Sequence, residues 1–190
     1  MCLAFADESM RSTNQSIYMI GATIFHDDAE ASLSELVSQK PRNARKLHWR
    51  ELGRKAQAGV LQTVAEAPAT TTVIIAAPMN LHRQERARRK CLEALRPLLE
   101  AESVETLVIE SRNDAADRRD IDMVSVLRSQ KRIDIIRIEH RKGASEPRLW
   151  FPDIVLGAYG DVLCGDELPG DWMDAWHRAE EKTVLETVDL

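Results

Sequence analysis

An α/β fold, with a mixed central sheet, an N-terminal antiparallel hairpin and helices packed on it, is what three features of the sequence predict. Two apolar runs, residues 3–6 and 17–25, stand close together near the N-terminus with only a short polar link between them, the signature of a hairpin. After them, β-branched runs alternate with longer segments of helical periodicity, the pattern of strands and covering helices. The composition, 44% hydrophobic and 30% charged over 190 residues, supplies a core of the size one domain needs.

Each element follows from local chemistry. Residues 3–6 are apolar and end in Asp7, Glu8 and Ser9, as a buried strand does when it delivers acids to a sheet edge. Residues 10–15 read as a turn and 17–25 as the second strand. Asp28 is placed to cap a helix over 29–38, with Leu33, Leu36 and Val37 on one side. Residues 40–46, basic and containing Pro41, read as loop, and 47–49 as a short strand or the approach to the next helix. That helix covers 51–66, with Leu52, Ala56, Val60 and Val64 at helical spacing, and Pro68 ends it. Residues 70–77 form a strand stopped by Pro78.

A long helix over 82–102 buries Ala87, Cys91, Ala94, Leu95 and Leu98, and Pro97 kinks or splits it. Residues 104–109 form a buried strand closed by Glu110, and 113–131 a helix with Ile121, Val124 and Leu127 inward. Residues 133–138 form another strand. The apolar run 150–164 has helical spacing, with Pro152 in the first turn. Residues 171–190 form a helical tail on the same domain.

Composition also bounds function. A net charge of −5 gives no global field for nucleic acid, so any such contact needs a local basic patch. Three scattered cysteines, Cys2, Cys91 and Cys164, argue for reduced thiols rather than a disulfide framework or a structural zinc site. No apolar stretch approaches the ~20 residues of a membrane span, and no secretory signal is visible, so the cytoplasm is the expected compartment.

Four short motifs in order carry a family resemblance. Phe5-Ala6-Asp7-Glu8-Ser9 followed by a strand with Gly21, then Leu47-His48-Trp49-Arg50-Glu51-Leu52, then Leu107-Val108-Ile109-Glu110, then the segment from Leu149 to Ala158 with Asp153 inside it, are similar to the Domain of Unknown Function 3800 family. The resemblance implies a ribonuclease H-like fold and a metal-dependent nuclease or a relative of one. The sequence departs from the family pattern at Met10, where Gly is usual, at Glu110, where Asp is commoner, at Ser111, where a second acid often stands, and at Pro152 in place of Ala.

The chemistry of these residues agrees with that expectation. Three or four carboxylates from separate elements are what paired Mg²⁺ or Mn²⁺ ions need. Asp7, Glu110 and Asp153 are the expected metal ligands, with Glu8 a ligand or a supporting acid. Side chains alternate along a strand, so Glu8 points away from Asp7 unless the strand turns. Asp153 lies in an otherwise apolar run, where an ionised carboxylate needs a partner. His48 and Glu51, three apart, share a helical face, and His48 would shuttle a proton or touch a phosphate.

Of the basic groups, Lys40-Arg42-Arg45-Lys46-Arg50 is best placed for phosphate, while Arg83-Arg86-Arg88-Arg89-Lys90 reads as a solvated face. Trp49 and Trp150 are read as core rather than base-stacking residues. Asp114, Asp117, Asp120 and Asp122 are read as helix-start acids, Asp114 being a reserve ligand. The expected activity is phosphodiester hydrolysis of DNA or RNA. Its rivals are a catalytically inactive interaction protein retaining the fold and a phosphohydrolase of small esters, both favoured by Ser111 and the acidic charge.

Overall fold

The computed structural model describes residues 2–12, 16–26, 29–79, 83–129, 136–165 and 172–189. Its strands are β1 (Cys2–Arg11), β2 (Ser16–Phe25), β3 (Ala69–Met79), β4 (Val104–Glu110), β5 (Arg137–Arg141) and β6 (Thr183–Val188). They form one six-stranded mixed sheet in the order β5-β4-β1-β2-β3-β6. The expected hairpin is present: β1 and β2 pair antiparallel, with Asp7 opposite Gly21. β2 pairs antiparallel with β3, whereas β4 runs parallel to β1, β5 to β4 and β6 to β3.

The helices are α1 (Glu30–Ser38), α2 (Arg54–Glu66), α3 (Gln84–Ala101), α4 (Asp114–Ser129), α5 (Trp150–Leu163) and α6 (Met173–Glu181). They cover both faces of the sheet. On one face α1, α2, α5 and α6 bury Leu36, Leu61, Ile154, Leu156 and Trp176 against Met19, Val73 and Ile75. On the other, Cys91, Leu95 and Leu99 of α3 pack on Tyr18, Ile20, Ile74 and Ala76. Strand alternation alone sorts these side chains. In β1 it sends Phe5 to the first side, against Leu149, and Ala4 and Ala6 to the second.

Several boundaries differ from the sequence expectation. Of the two alternatives for residues 47–49 the approach to the next helix is found, as a 3₁₀ turn over Trp49–Glu51 ahead of α2, and β3 continues through Pro78 to Met79. Pro97 lies within a single helix and does not split it. Leu127 is buried as expected, but Ile121 is 48% exposed, and Ala116 and Asp120 are the other buried positions. In the middle of α4 the buried position is therefore Asp120 rather than Ile121. Arg88, expected on a solvated face, is 2% exposed. The tail contains a strand, β6, whose burial pattern is mostly exposed and so lacks the apolar alternation that announces strands. Asp28 and residues 133–135 lie outside the described residues. Among the described residues no helix is long and apolar enough to cross a membrane.

Trp49 and Trp150 are core residues, 1% and 3% exposed. Trp49 fits only because position 157 of α5 is glycine: a Cβ there would stand 2.2 Å from Trp49 Cγ. Trp49 Nε1 also donates to Asp161 Oδ2 at 2.8 Å, so the indole cannot move aside without breaking a buried bond. Gly157→Ala is expected to lower folding stability by about 1–3 kcal/mol, the usual cost of overpacking, read as a lower urea midpoint by tryptophan fluorescence. An unchanged midpoint would contradict this packing.

Candidate acid centre

Asp7 and Glu110 reach one place because β1 and β4 run parallel. Their pairing ends at Ala6 opposite Ile109, and the next residue on each strand is an acid. Parallel strands in α/β sheets leave their functional groups where the pairing stops. Asp153 arrives from the first turn of α5, the helix that packs over this face.

Asp7 is 8% exposed. Burial, then repulsion from Asp153 and from Glu110, holds its carboxyl well above the usual carboxylate range, against attraction by Lys46 and a hydrogen bond from the Glu8 amide. These charges act on Asp7 because the acids are neighbours, and like charges in a poorly solvated place favour the protonated form.

Asp153 is held at both oxygens. His48 Nδ1 lies 2.7 Å from Oδ1, and the Trp49 amide donates to Oδ2 at 2.7 Å. The bond to Asp153 raises the His48 pKa; partial burial opposes it, and the Asp153 charge adds to it. Glu51 is exposed in the same 3₁₀ turn and acts on His48 only through its charge. His48 itself is extended, at φ −141° and ψ 122°, so the two do not share a helical face.

Lys46 is the residue that sequence reasoning missed in this role. Its Nζ donates to Glu110 Oε1 at 2.7 Å and to Oε2 at 2.8 Å. Burial lowers the Lys46 pKa, but the hydrogen bond and charge of Glu110 outweigh it and raise the value. In the sequence Lys46 is one of several basic loop residues, and nothing there marks it as the partner of an acid 64 positions later.

Glu8 does not join the centre. Its carboxylate lies on the opposite face of the sheet, bonded to the Tyr18 hydroxyl and to Arg88 Nη1. Arg88 in turn grips Asp120 with Nε at 3.0 Å and Nη2 at 2.7 Å, and His140 Nε2 lies 3.0 Å from Asp120 Oδ2. Burial works against the Asp120 carboxylate, but His140 and Arg88 hold its pKa well below the usual range. Asp120 is therefore a buried ion-pair partner rather than a helix-start acid. Asp114 is exposed. Asp117 accepts from Ser111 Oγ at 2.6 Å, so the position lacking a second acid serves α4 instead.

Beside the acids is a cleft of about 190 Å³, bordered by Ser9, His48, Arg50, Asp153 and Gly157. Arg50 is exposed, so the cleft is bordered by a cation, an imidazole and the Asp153 carboxylate that the imidazole bonds. Among the described residues no three His, Cys, Asp or Glu side chains form a closed metal-ligand set. The present partners explain this: Lys46 lies on Glu110, and His48 with the Trp49 amide on Asp153.

Comparison with solved structures places this architecture. A chain of the PCNA:RNase HII complex from Archaeoglobus fulgidus superposes with a TM-score of 0.58 at 13% identity, covering 95% of this chain and 86% of that one. Ribonuclease H2 from Pyrococcus horikoshii OT3 gives a TM-score of 0.50 at 12% identity, covering 90% and 81%. The fold is ribonuclease H-like. No family model matches the chain, and no curated protein does.

Proposed function

We propose that this chain is a divalent-metal-dependent nuclease that hydrolyses phosphodiester bonds of DNA or RNA. One observation carries the reading: Asp7, Glu110 and Asp153, from two parallel strands and a helix, form one acid cluster around a buried carboxyl that is hard to ionise. Clustered carboxylates cost stability unless something positive joins them. Their hard oxygen donors suit Mg²⁺ or Mn²⁺. The two ribonuclease neighbours and the motif resemblance to the Domain of Unknown Function 3800 family point the same way.

The chain's own residues have separable tasks in this reading. Asp7 and Asp153 supply ligand oxygens. His48, oriented by Asp153, carries a proton to or from the phosphate at the cleft. Arg50 neutralises a backbone phosphate and so sets position along the strand. A bound Mg²⁺ or Mn²⁺ would supply Lewis acidity at the phosphoryl oxygen and lower the pKa of its water.

The test is cleavage of labelled single-stranded, duplex and RNA–DNA hybrid substrates in millimolar Mn²⁺ or Mg²⁺. At least one substrate is expected to be cut, EDTA to stop it, and Asp153→Asn to slow it by roughly 100-fold or more. The Lys46–Glu110 ion pair favours a second reading, an inactive interaction protein retaining the fold. No cleavage of any substrate, with no rise of Tm in Mn²⁺, would select it. Cleavage of a small phosphate ester alone would instead identify a phosphohydrolase.

A further inference from the structure

Three residues of α5, Asp153, Gly157 and Asp161, stand four apart in the sequence and so share one face of that helix. Trp49 lies along this face. Its amide donates to Asp153 Oδ2 at 2.7 Å, and its Nε1 donates to Asp161 Oδ2 at 2.8 Å. Between the two bonds the indole rests on Gly157, where a Cβ would stand 2.2 Å from Trp49 Cγ. Trp172 packs edge-on against the same ring, with 5.7 Å between centroids. The other Asp161 oxygen accepts from Arg11 Nη2 at 2.8 Å, and that nitrogen also donates to the Gly157 carbonyl at 2.7 Å. Asp161 is buried, and Arg11 supplies the cation that a buried carboxylate needs.

His48 precedes Trp49 in the chain. Residues 40–48 belong to no helix or strand, so no backbone ladder fixes the imidazole. Its Nδ1 lies 2.7 Å from Asp153 Oδ1. A carboxylate only accepts, so Nδ1 carries the proton, and Nε2 is the nitrogen left for the cleft that His48 borders. The His48 ring and the Trp49 amide both bond the one Asp153 carboxylate, and such a group can swing as a unit. The indole bond to Asp161, about two turns further along α5, gives a second point of attachment and fixes the direction.

We infer that Asp161 is a positioning residue: by holding the Trp49 indole it sets the His48 imidazole against Asp153 with Nε2 towards the cleft. The inference rests on the role given to His48 in the nuclease reading above and adds the acid that orients it.

The test follows the histidine ring protons of the full ¹⁵N-histidine-labelled chain by NMR in EDTA, and measures kcat and KM on whichever nucleic acid is cut. The Nδ1 proton bonded to Asp153 is expected to exchange slowly with water, and His48→Gln identifies its resonance by removing it. Asp161→Leu is of similar size but offers the indole no acceptor. In it the resonance is expected to be lost to exchange, and kcat to fall by roughly 10–100-fold with KM unchanged. Asp161→Asn keeps a carbonyl oxygen for the indole and is expected to restore the resonance and most of kcat, although it gives up the Arg11 ion pair. Arg11→Met gives up that pair from the other side; it is expected to melt lower than wild type and still to show the resonance. Loss of the resonance in step with Tm across the three variants, a resonance unchanged in Asp161→Leu, or no protected Nδ1 proton in wild type overturns the inference. No cleavage of any substrate overturns the nuclease reading instead, and the resonance then decides the placement of His48 by itself. Should Asp161→Leu fail to fold, Trp49→Phe removes the indole donor and takes its place.

Discussion

Arg88→Met is expected to lower the stability of the folded chain by about 3–5 kcal/mol, the cost of breaking a buried ion pair from one side. At this chain length that is a fall in Tm of roughly 6–20 °C. The guanidinium is 2% exposed. It bonds both oxygens of Asp120 and one of Glu8, so its loss leaves Asp120 to His140 and Glu8 to the Tyr18 hydroxyl, without the buried cation between them. Arg112 Nη2, 3.4 Å from Asp120 Oδ1, is too distant to replace it. The double variant Arg88→Met with Asp120→Leu is expected to regain part of the loss, because one of the two carboxylates left without the guanidinium is then gone. A single variant that melts within a degree or two of wild type would show that the network contributes little.

Asp7→Asn is expected to do the opposite to the metal-free protein. Burial, then the Asp153 and Glu110 charges, raise the Asp7 pKa in the folded state. The folded protein thus holds this proton more tightly than the unfolded chain does. The contribution of Asp7 favours folding at low pH and is lost as pH rises through the folded-state value; above it the ionised carboxylate is a net penalty. Asn removes that penalty and can still accept from the Glu8 amide, as Asp7 does at 2.8 Å. At neutral pH in EDTA the variant is expected to be more stable than wild type by about 1–3 kcal/mol. The difference should vanish as pH falls below the ordinary carboxylate range. On the proposed metal-dependent reading the order should reverse in millimolar Mn²⁺, because the wild-type carboxylate would gain more from the ion than Asn does. A variant less stable than wild type at neutral pH without metal would show that Asp7 is not under the repulsion described.

Much of this was legible in the residues because it depends on alternation. Phe5, Asp7 and the opposite-facing Glu8 follow from a period of two. Asp153 announced itself as one acid in an apolar run. What stayed hidden depends on contacts between distant segments. Lys46 and Arg88 each sit among other basic residues, and only the fold selects which one is enclosed. In α4 the helical period is real, but Ile121 misled: the stripe facing the sheet admits Asp120 because Arg88 and His140 are waiting for it. β6 carries Val184 and Leu185 at 48% and 49% exposure, so a hydrophobic pattern could not have disclosed it.

Successive acids on β1 end up with unrelated neighbours, Asp7 among Asp153, Glu110 and Lys46, and Glu8 among Arg88 and Tyr18. The sheet acts as an insulating partition with one wire through it, the peptide unit joining the two residues. Selection can therefore redraw one compartment while the other keeps its properties. Surviving variants of the α3–α4 compartment would change how firmly the molecule holds together and leave the surroundings of Asp7 untouched.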